Sequence, residues 1–260
     1  MATEAKTGLY YTVTGDGPNL ILGFPYLASF PQVMPSSVPD VAQQLSDALA
    51  TNHRVLRLDY PSIGLSRDIP ENALSADRVA SDLLSVADDA GFDRFTYVAY
   101  SWGAAAGLQL AARTTRIDRL VIGGWPPLGA EYDKCLRAAR AQLSNPPPEV
   151  QVVLRSPEQY EQWIHFYESI GTFSEEALLE KLQKDGVACL AFVAENGDVG
   201  AGEEQLHNAT IIKKQEDALK GFGWEVAYIE DAGHEIGLDA AAVLSVMRPF
   251  LERTGRGLAP

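Results

Sequence analysis

The stretch Phe95-Thr96-Tyr97-Val98-Ala99-Tyr100-Ser101-Trp102-Gly103-Ala104-Ala105-Ala106-Gly107 constrains the fold of this 260-residue chain more than any other. It opens as an apolar run rich in aromatic and β-branched residues, which predicts a strand. It then passes through one serine into very small residues, as a strand must if it turns sharply into a helix packed close behind it. Such a turn lifts the Ser101 hydroxyl clear of the backbone. A helix N-cap would explain the serine, but not Ala99, Gly103 and the alanines around it.

The remaining chain supplies the partners of that strand. Leu9–Thr14 reads as an edge strand followed by the turn Gly15-Asp16-Gly17-Pro18. Leu20–Leu22 reads as a short strand, followed by a loop carrying Pro31, Pro35 and Pro39. Val41, Leu45, Ala48 and Leu49 recur at helical spacing. Val55–Leu58 is the next strand, Ala76–Ala90 an amphipathic helix stopped by Gly91, and Leu120–Ile122 a buried strand. Residues 128–186 read as helical, with a break at Asn145-Pro146-Pro147-Pro148. Strand character returns at Ala188–Val193 and Glu225–Ile229, and a last helix carries Ala241, Leu244, Met247 and Leu251. Strands alternating with helices predict an α/β protein with a mainly parallel sheet flanked by helices. The expected division is a core over 1–125, a helical insertion over 126–187 above the strand ends, and a second part of the core over 188–260.

Composition narrows the class of function. At 46% hydrophobic residues, and without a run long enough to span a bilayer, the chain reads as globular. A net charge of −14 repels phosphate backbones and argues against a nucleic-acid partner. Met1–Thr7 lacks the basic and apolar segments of a secretory leader. Cys135 and Cys189 share no metal or redox spacing, and plain thiols are expected over a disulfide. The expectation is a cytoplasmic protein with a small-molecule substrate and no membrane partner, with a homo-oligomer left open.

Four segments together resemble the α/β-hydrolase fold superfamily over nearly the whole chain. Ala99-Tyr100-Ser101-Trp102-Gly103 is similar to the family's nucleophile elbow, with alanine where the usual motif has glycine. Leu22-Gly23-Phe24-Pro25 is similar to its oxyanion loop, with leucine in the histidine position. Asp59-Tyr60-Pro61-Ser62-Ile63-Gly64-Leu65-Ser66 resembles the Asp-x-Pro-Gly-x-Gly-x-Ser loop, with Ser62 in place of the first glycine. Ala232-Gly233-His234-Glu235 resembles the loop bearing the catalytic histidine. The helical insertion falls where the family carries a cap.

A serine hydroxyl is a poor nucleophile until a base takes its proton and a third group orients that base. The resemblance implies the chain order serine, acid, histidine. Ser101 is the expected nucleophile and His234, after a strand and beside Gly233, the expected base. His53, His165 and His207 read as surface or core histidines. Asp198 is the expected acid, with Glu195 as the alternative, and Asp59 is expected to organise its own loop. Backbone N–H groups of Phe24 and Trp102 are the expected oxyanion donors. Tyr26, Trp125, Trp163, Phe166 and Tyr167 are candidates for an apolar substrate pocket, although each fits core packing equally well. No phosphate-binding glycine loop or metal-ligand spacing occurs, so neither cofactor nor metal is expected.

The resulting expectation is a cofactor-independent serine hydrolase for an ester, lactone or thioester of a small to medium apolar molecule. The fold equally hosts C–C bond hydrolases, haloperoxidases and cofactor-free dioxygenases, and a non-catalytic ligand-binding member stays open. A serine at the elbow disfavours an aspartate-nucleophile dehalogenase or epoxide hydrolase.

Overall fold

A computed structural model describes residues 2–145 and 156–253. Pro146, Pro147 and Pro148 of the expected break lie outside the described residues.

Eight strands are described: β1 Ala2–Thr3, β2 Tyr10–Thr14, β3 Asn19–Leu22, β4 Arg54–Leu58, β5 Phe95–Tyr100, β6 Ile117–Gly123, β7 Ala188–Asn196 and β8 Trp224–Gly233. They form one sheet in the order β1-β2-β4-β3-β5-β6-β7-β8. The pairs β1/β2 and β2/β4 are antiparallel, and every pair from β4 through β8 is parallel. The helices are α1 Phe30–Val33, α2 Val41–Leu49, α3 Ala76–Asp89, α4 Trp102–Arg113, α5 Tyr132–Ser144, α6 Pro157–Ile170, α7 Glu175–Lys184, α8 Asn208–Gly221 and α9 Ala240–Leu251. This is the mainly parallel α/β sheet expected from the alternation of elements.

One expectation needs correction. Tyr10–Thr14 is not the edge of the sheet, because Ala2 and Thr3 pair outside it. The Glu4 carboxylate makes this possible by accepting from the N–H groups of Lys6 and Thr7, at 2.8 and 2.6 Å. That local turn folds the N-terminal segment back along β2. Helix α1 was also hidden within the proline-rich loop, where its proline occupies the first turn, a position that needs no N–H donor.

All six residues of β5 are buried, as befits a central strand covered on both faces. Burying each large apolar side chain contributes about 1.5–3 kcal/mol. Helix α4 sits directly on the sheet because its inward residues are small. A Cβ on Gly107 would lie 2.4 Å from the Tyr97 ring, and one on Gly103 would lie 2.1 Å from the Phe24 carbonyl oxygen.

Between β6 and β7 the chain is helical, with no strand among the described residues. Helices α5 and α6 pack on each other, whereas α7 packs against α4. Helix α6 also meets α3 and the short 3-10 turn at Glu71–Ala73. Among the described residues, no helix is long and apolar enough to cross a membrane.

Candidate active site

The site is assembled at the C-terminal ends of β3, β5 and β8. At the end of β5 the chain reverses into α4 through Ser101, whose φ of 54° and ψ of −126° are unusual for a residue with a side chain. Its side chain makes no capping bond, so the N-cap explanation for this serine does not hold. The turn is fixed by its neighbours instead. Ser101 N–H donates to the Gly123 carbonyl at 2.8 Å, and Tyr100 N–H to the Phe24 carbonyl at 3.0 Å.

His234 opens the 3-10 turn His234–Leu238 after β8. Its Nε2 lies 2.9 Å from Ser101 Oγ. The Tyr100 hydroxyl donates to the His234 carbonyl at 2.9 Å, and the two rings lie 5.1 Å apart. Gly237 lets this turn rest on Tyr100, since a Cβ there would sit 2.3 Å from the ring. Burial pushes the imidazole down to about 4, against the Gly197 backbone and the Glu235 charge, which favour the protonated ring. The imidazole is therefore neutral at pH 7, as a general base must be.

Neither expected acid makes a hydrogen bond to the imidazole among the described residues. Asp198 Oδ1 accepts from Thr210 N–H at 3.0 Å and Oδ2 from the Thr210 hydroxyl at 2.7 Å. Both oxygens thus serve the first turn of α8. Glu195 is exposed and only approaches Asp231 N–H, at 3.5 Å. His234 Nδ1 is buried and has no hydrogen-bond partner among the described residues.

The other histidines take structural roles. His207 meets Glu131 at 3.2 Å and Lys134 at 3.3 Å, and His165 lies 4.0 Å from Glu168. His53 sits in the turn before β4, where its N–H donates to the Leu49 carbonyl. Asp59 does organise its loop: its two oxygens accept from Ser29 N–H and Leu65 N–H, each at 2.9 Å. Gly64 must be glycine there, because φ is 61° and a Cβ would meet the Asp59 carboxylate at 2.4 Å.

Ser62, where the family motif has glycine, also adopts a left-handed φ of 61°. Its hydroxyl accepts from Ile69 N–H at 3.0 Å and from Gln162 Nε2 at 2.9 Å, and its carbonyl accepts from Gln159 Nε2 at 2.5 Å. The side chain thus ties the loop after β4 to α6.

A cavity of about 180 Å³ opens beside Ser101 and His234. Its walls are Phe24, Pro25, Leu27 and Met34 on one side and Tyr100, Glu235, Gly237 and Leu238 on the other. None of the five aromatics singled out from the sequence lines it. Tyr26 is fully buried beneath, donating to the Gly237 carbonyl at 3.1 Å. Trp163 stacks on Trp102 at 4.9 Å, and Phe166 lies 5.0 Å from Trp102. Tyr167 packs on Phe166, and Trp125 on Tyr132. Trp163 and Phe166 of α6 thus pack against Trp102 at the elbow, as large aromatic rings in contact do. Leu27, Met34 and Leu238 were missed, since isolated aliphatic residues in loops carry no pattern.

Of the two expected oxyanion donors, Phe24 lines the cavity and Trp102 directly follows Ser101. Trp102 N–H, the first of α4, makes no hydrogen bond among the described residues. Phe24 N–H donates to the Tyr60 hydroxyl at 3.3 Å. No group of three or more His, Cys, Asp or Glu side chains among the described residues is arranged to hold a metal ion. Cys135 and Cys189 are buried free thiols.

Residues 30–145 match the family described as alpha/beta hydrolase fold. The chain has the α/β-hydrolase fold. A thermophilic esterase from Thermogutta terrifontis is 17% identical with a TM-score of 0.67, the match covering 96% of each chain. The enol-lactonase from Burkholderia xenovorans LB400 is 18% identical with a TM-score of 0.67, covering 96% of this chain and 98% of that one. A bromoperoxidase from Bacillus anthracis is 17% identical with a TM-score of 0.64, covering 94% and 95%. At these identities the likeness is one of fold. Within this α/β-hydrolase fold, Ser101 occupies the strand-to-helix turn after β5 and His234 the loop after β8.

Proposed function

We propose that this α/β-hydrolase-fold protein is a cofactor-independent serine hydrolase that cleaves an ester, lactone or thioester of a small apolar molecule. The observation that carries the reading is the 2.9 Å contact between Ser101 Oγ and His234 Nε2 at the edge of an apolar cavity. His234 takes the hydroxyl proton as Ser101 Oγ attacks the carbonyl carbon, and the carbonyl electrons move onto oxygen. Trp102 N–H and Phe24 N–H receive that oxyanion. Collapse of the intermediate expels the alcohol or thiol, which takes the proton back from His234. Water then releases the acyl group by the same steps.

The cavity limits the acyl part. About 180 Å³ walled by Pro25, Leu27, Met34 and Leu238 suits a short aliphatic or small cyclic acyl group. The esterase and enol-lactonase among the similar structures support carboxylic ester chemistry. The helices between β6 and β7 form the cap of this reading, with α5 and α6 as its body. Asp198, engaged with Thr210, leaves His234 to be held through the Tyr100 hydroxyl, which donates to its carbonyl.

The test compares wild type with Ser101→Ala on p-nitrophenyl esters of increasing chain length, with mass-spectrometric mapping of a fluorophosphonate adduct. Turnover should favour short chains, vanish in Ser101→Ala, and the adduct should map to Ser101. Undiminished turnover by Ser101→Ala would sink the proposal.

A further inference from the structure

Two buried tyrosines connect the oxyanion loop to the elbow helix. Phe24 N–H lies 3.3 Å from Tyr60 Oη, Tyr60 Oη lies 3.0 Å from Tyr97 Oη, and Tyr97 Oη lies 3.1 Å from the Gly103 carbonyl. The direction of each bond follows from counting protons. A carbonyl can only accept, so the Tyr97 proton goes to Gly103. Tyr97 Oη is then the acceptor for the Tyr60 proton, and Tyr60 Oη is left to accept from Phe24 N–H. Burial raises both phenols above their ordinary range, so these protons stay in place at working pH.

The site is built for these hydroxyls. A Cβ on Gly23 would fall 2.3 Å from Tyr97 Oη and 3.0 Å from Tyr60 Oη. The Tyr60 ring also stands edge-on to Trp102, 5.1 Å away, and to Phe24, 6.3 Å away. Tyr60 therefore touches the side chains of both residues whose N–H groups face the oxyanion in the proposed reaction.

We propose that Tyr60 is a positioning residue that holds the Phe24 N–H while the site is empty and yields it to the oxyanion during turnover. The inference rests on Ser101 acting as the nucleophile. At 3.3 Å the resting bond is long for N–H···O, and a charged oxygen is a stronger acceptor than a phenol. Tyr26 N–H fixes the Gly23 carbonyl of the same peptide unit at 3.0 Å, so the transfer is a tilt of the N–H rather than a peptide flip. An interaction made in the ground state and lost in the transition state subtracts from catalysis. The Tyr60 hydroxyl therefore keeps a buried donor satisfied at a cost in rate.

The experiment measures kcat, KM and inhibition by a boronic acid, which forms a tetrahedral adduct on the serine, in wild type, Tyr60→Phe and Tyr97→Phe. In Tyr60→Phe, kcat should rise by about 3- to 10-fold with KM within about twofold, and boronate should bind tighter by a similar factor. Tyr97→Phe leaves the Tyr60 proton without its acceptor and weakens Tyr60 as an acceptor in turn. It should shift kcat the same way by a smaller factor. Unchanged or lower kcat with unchanged boronate affinity in Tyr60→Phe overturns the inference. Should that variant not fold, an unchanged Tyr97→Phe overturns it. A wild-type protein that neither turns over esters nor labels at Ser101 overturns the hydrolase reading itself, and this inference with it.

Discussion

His234 Nε2 sits 2.9 Å from Ser101 Oγ although 133 residues separate them in the chain. The contact depends on Tyr100, whose hydroxyl holds the His234 carbonyl and whose backbone leads directly into Ser101. One residue therefore sets both the turn that presents Ser101 and the seat of His234.

The depressed His234 titration makes a two-part prediction. With His234 as the base of the proposed mechanism, which acts when neutral, kcat/KM should hold down to about pH 4 rather than fall near pH 6.5. Stability moves the other way. Between about pH 6.5 and 4 the unfolded chain binds a proton that the folded one does not, so stability falls as pH falls through this window. The full effect is about 3 kcal/mol once the pH is below 4. Urea melts at pH 7 and pH 4.5 should differ less in His234→Gln than in wild type, and an equal difference would contradict the assignment.

Asp198 should behave as a structural acceptor. Asp198→Ala removes both bonds to Thr210 and should lower stability by about 1 kcal/mol, as loss of a helix-capping acceptor does. Its kcat should fall by less than about 10-fold, against about 10⁴ for removal of a triad carboxylate. Thermal melting and steady-state kinetics on one preparation decide this, and a loss of several thousandfold would restore Asp198 to the imidazole.

Ser62 is held in a glycine-like conformation by what its hydroxyl binds. Ser62→Gly relieves the backbone but loses the bonds to Ile69 and Gln162, so its stability should stay within about 1 kcal/mol of wild type. Ser62→Ala keeps the strained φ and loses the same bonds, and should lie about 1 kcal/mol below Ser62→Gly. Equal denaturation midpoints for the two variants would remove backbone strain from this account.

Gly103→Ala tests the contact between elbow and oxyanion loop. The new Cβ would lie 2.1 Å from the Phe24 carbonyl oxygen, so the loop must move. The expected result is a kcat about 100-fold lower, the scale of losing one oxyanion donor, with the Ser101 adduct still forming slowly. Stopped-flow labelling by a fluorophosphonate reports it independently of substrate binding.

The parts of this molecule that were legible in the chain are those governed by local rules. The elbow could be read because Ala99, Ser101 and Gly103 satisfy a steric requirement within five residues, and His234 because it follows a strand beside a glycine. The strands could be read from unbroken apolar runs such as Leu20–Leu22. The partner of Asp198 could not, because a carboxylate in a loop fits a helix terminus as well as a histidine, and only the placement of α8 decides. Nor could the pocket walls be read. Trp163 and Phe166 looked like pocket residues, but they pack against Trp102 and are not among the walls of the cavity. The Tyr60–Tyr97 chain was hidden because Tyr97 lies on β5 and Tyr60 in the loop after β4, 37 residues apart.

The cavity beside Ser101 is walled by two short segments, 24–34 and 234–238, together with the elbow itself; among the described residues, neither α5 nor α6 contributes to it. On the proposed hydrolase reading, the described walls of the cavity and helices α5 and α6 are thus separable as engineering modules. Loop libraries at Leu27, Met34 and Leu238 can retarget the acyl group without disturbing the aromatic stack on Trp102, which makes these three positions the place to begin directed evolution of this scaffold.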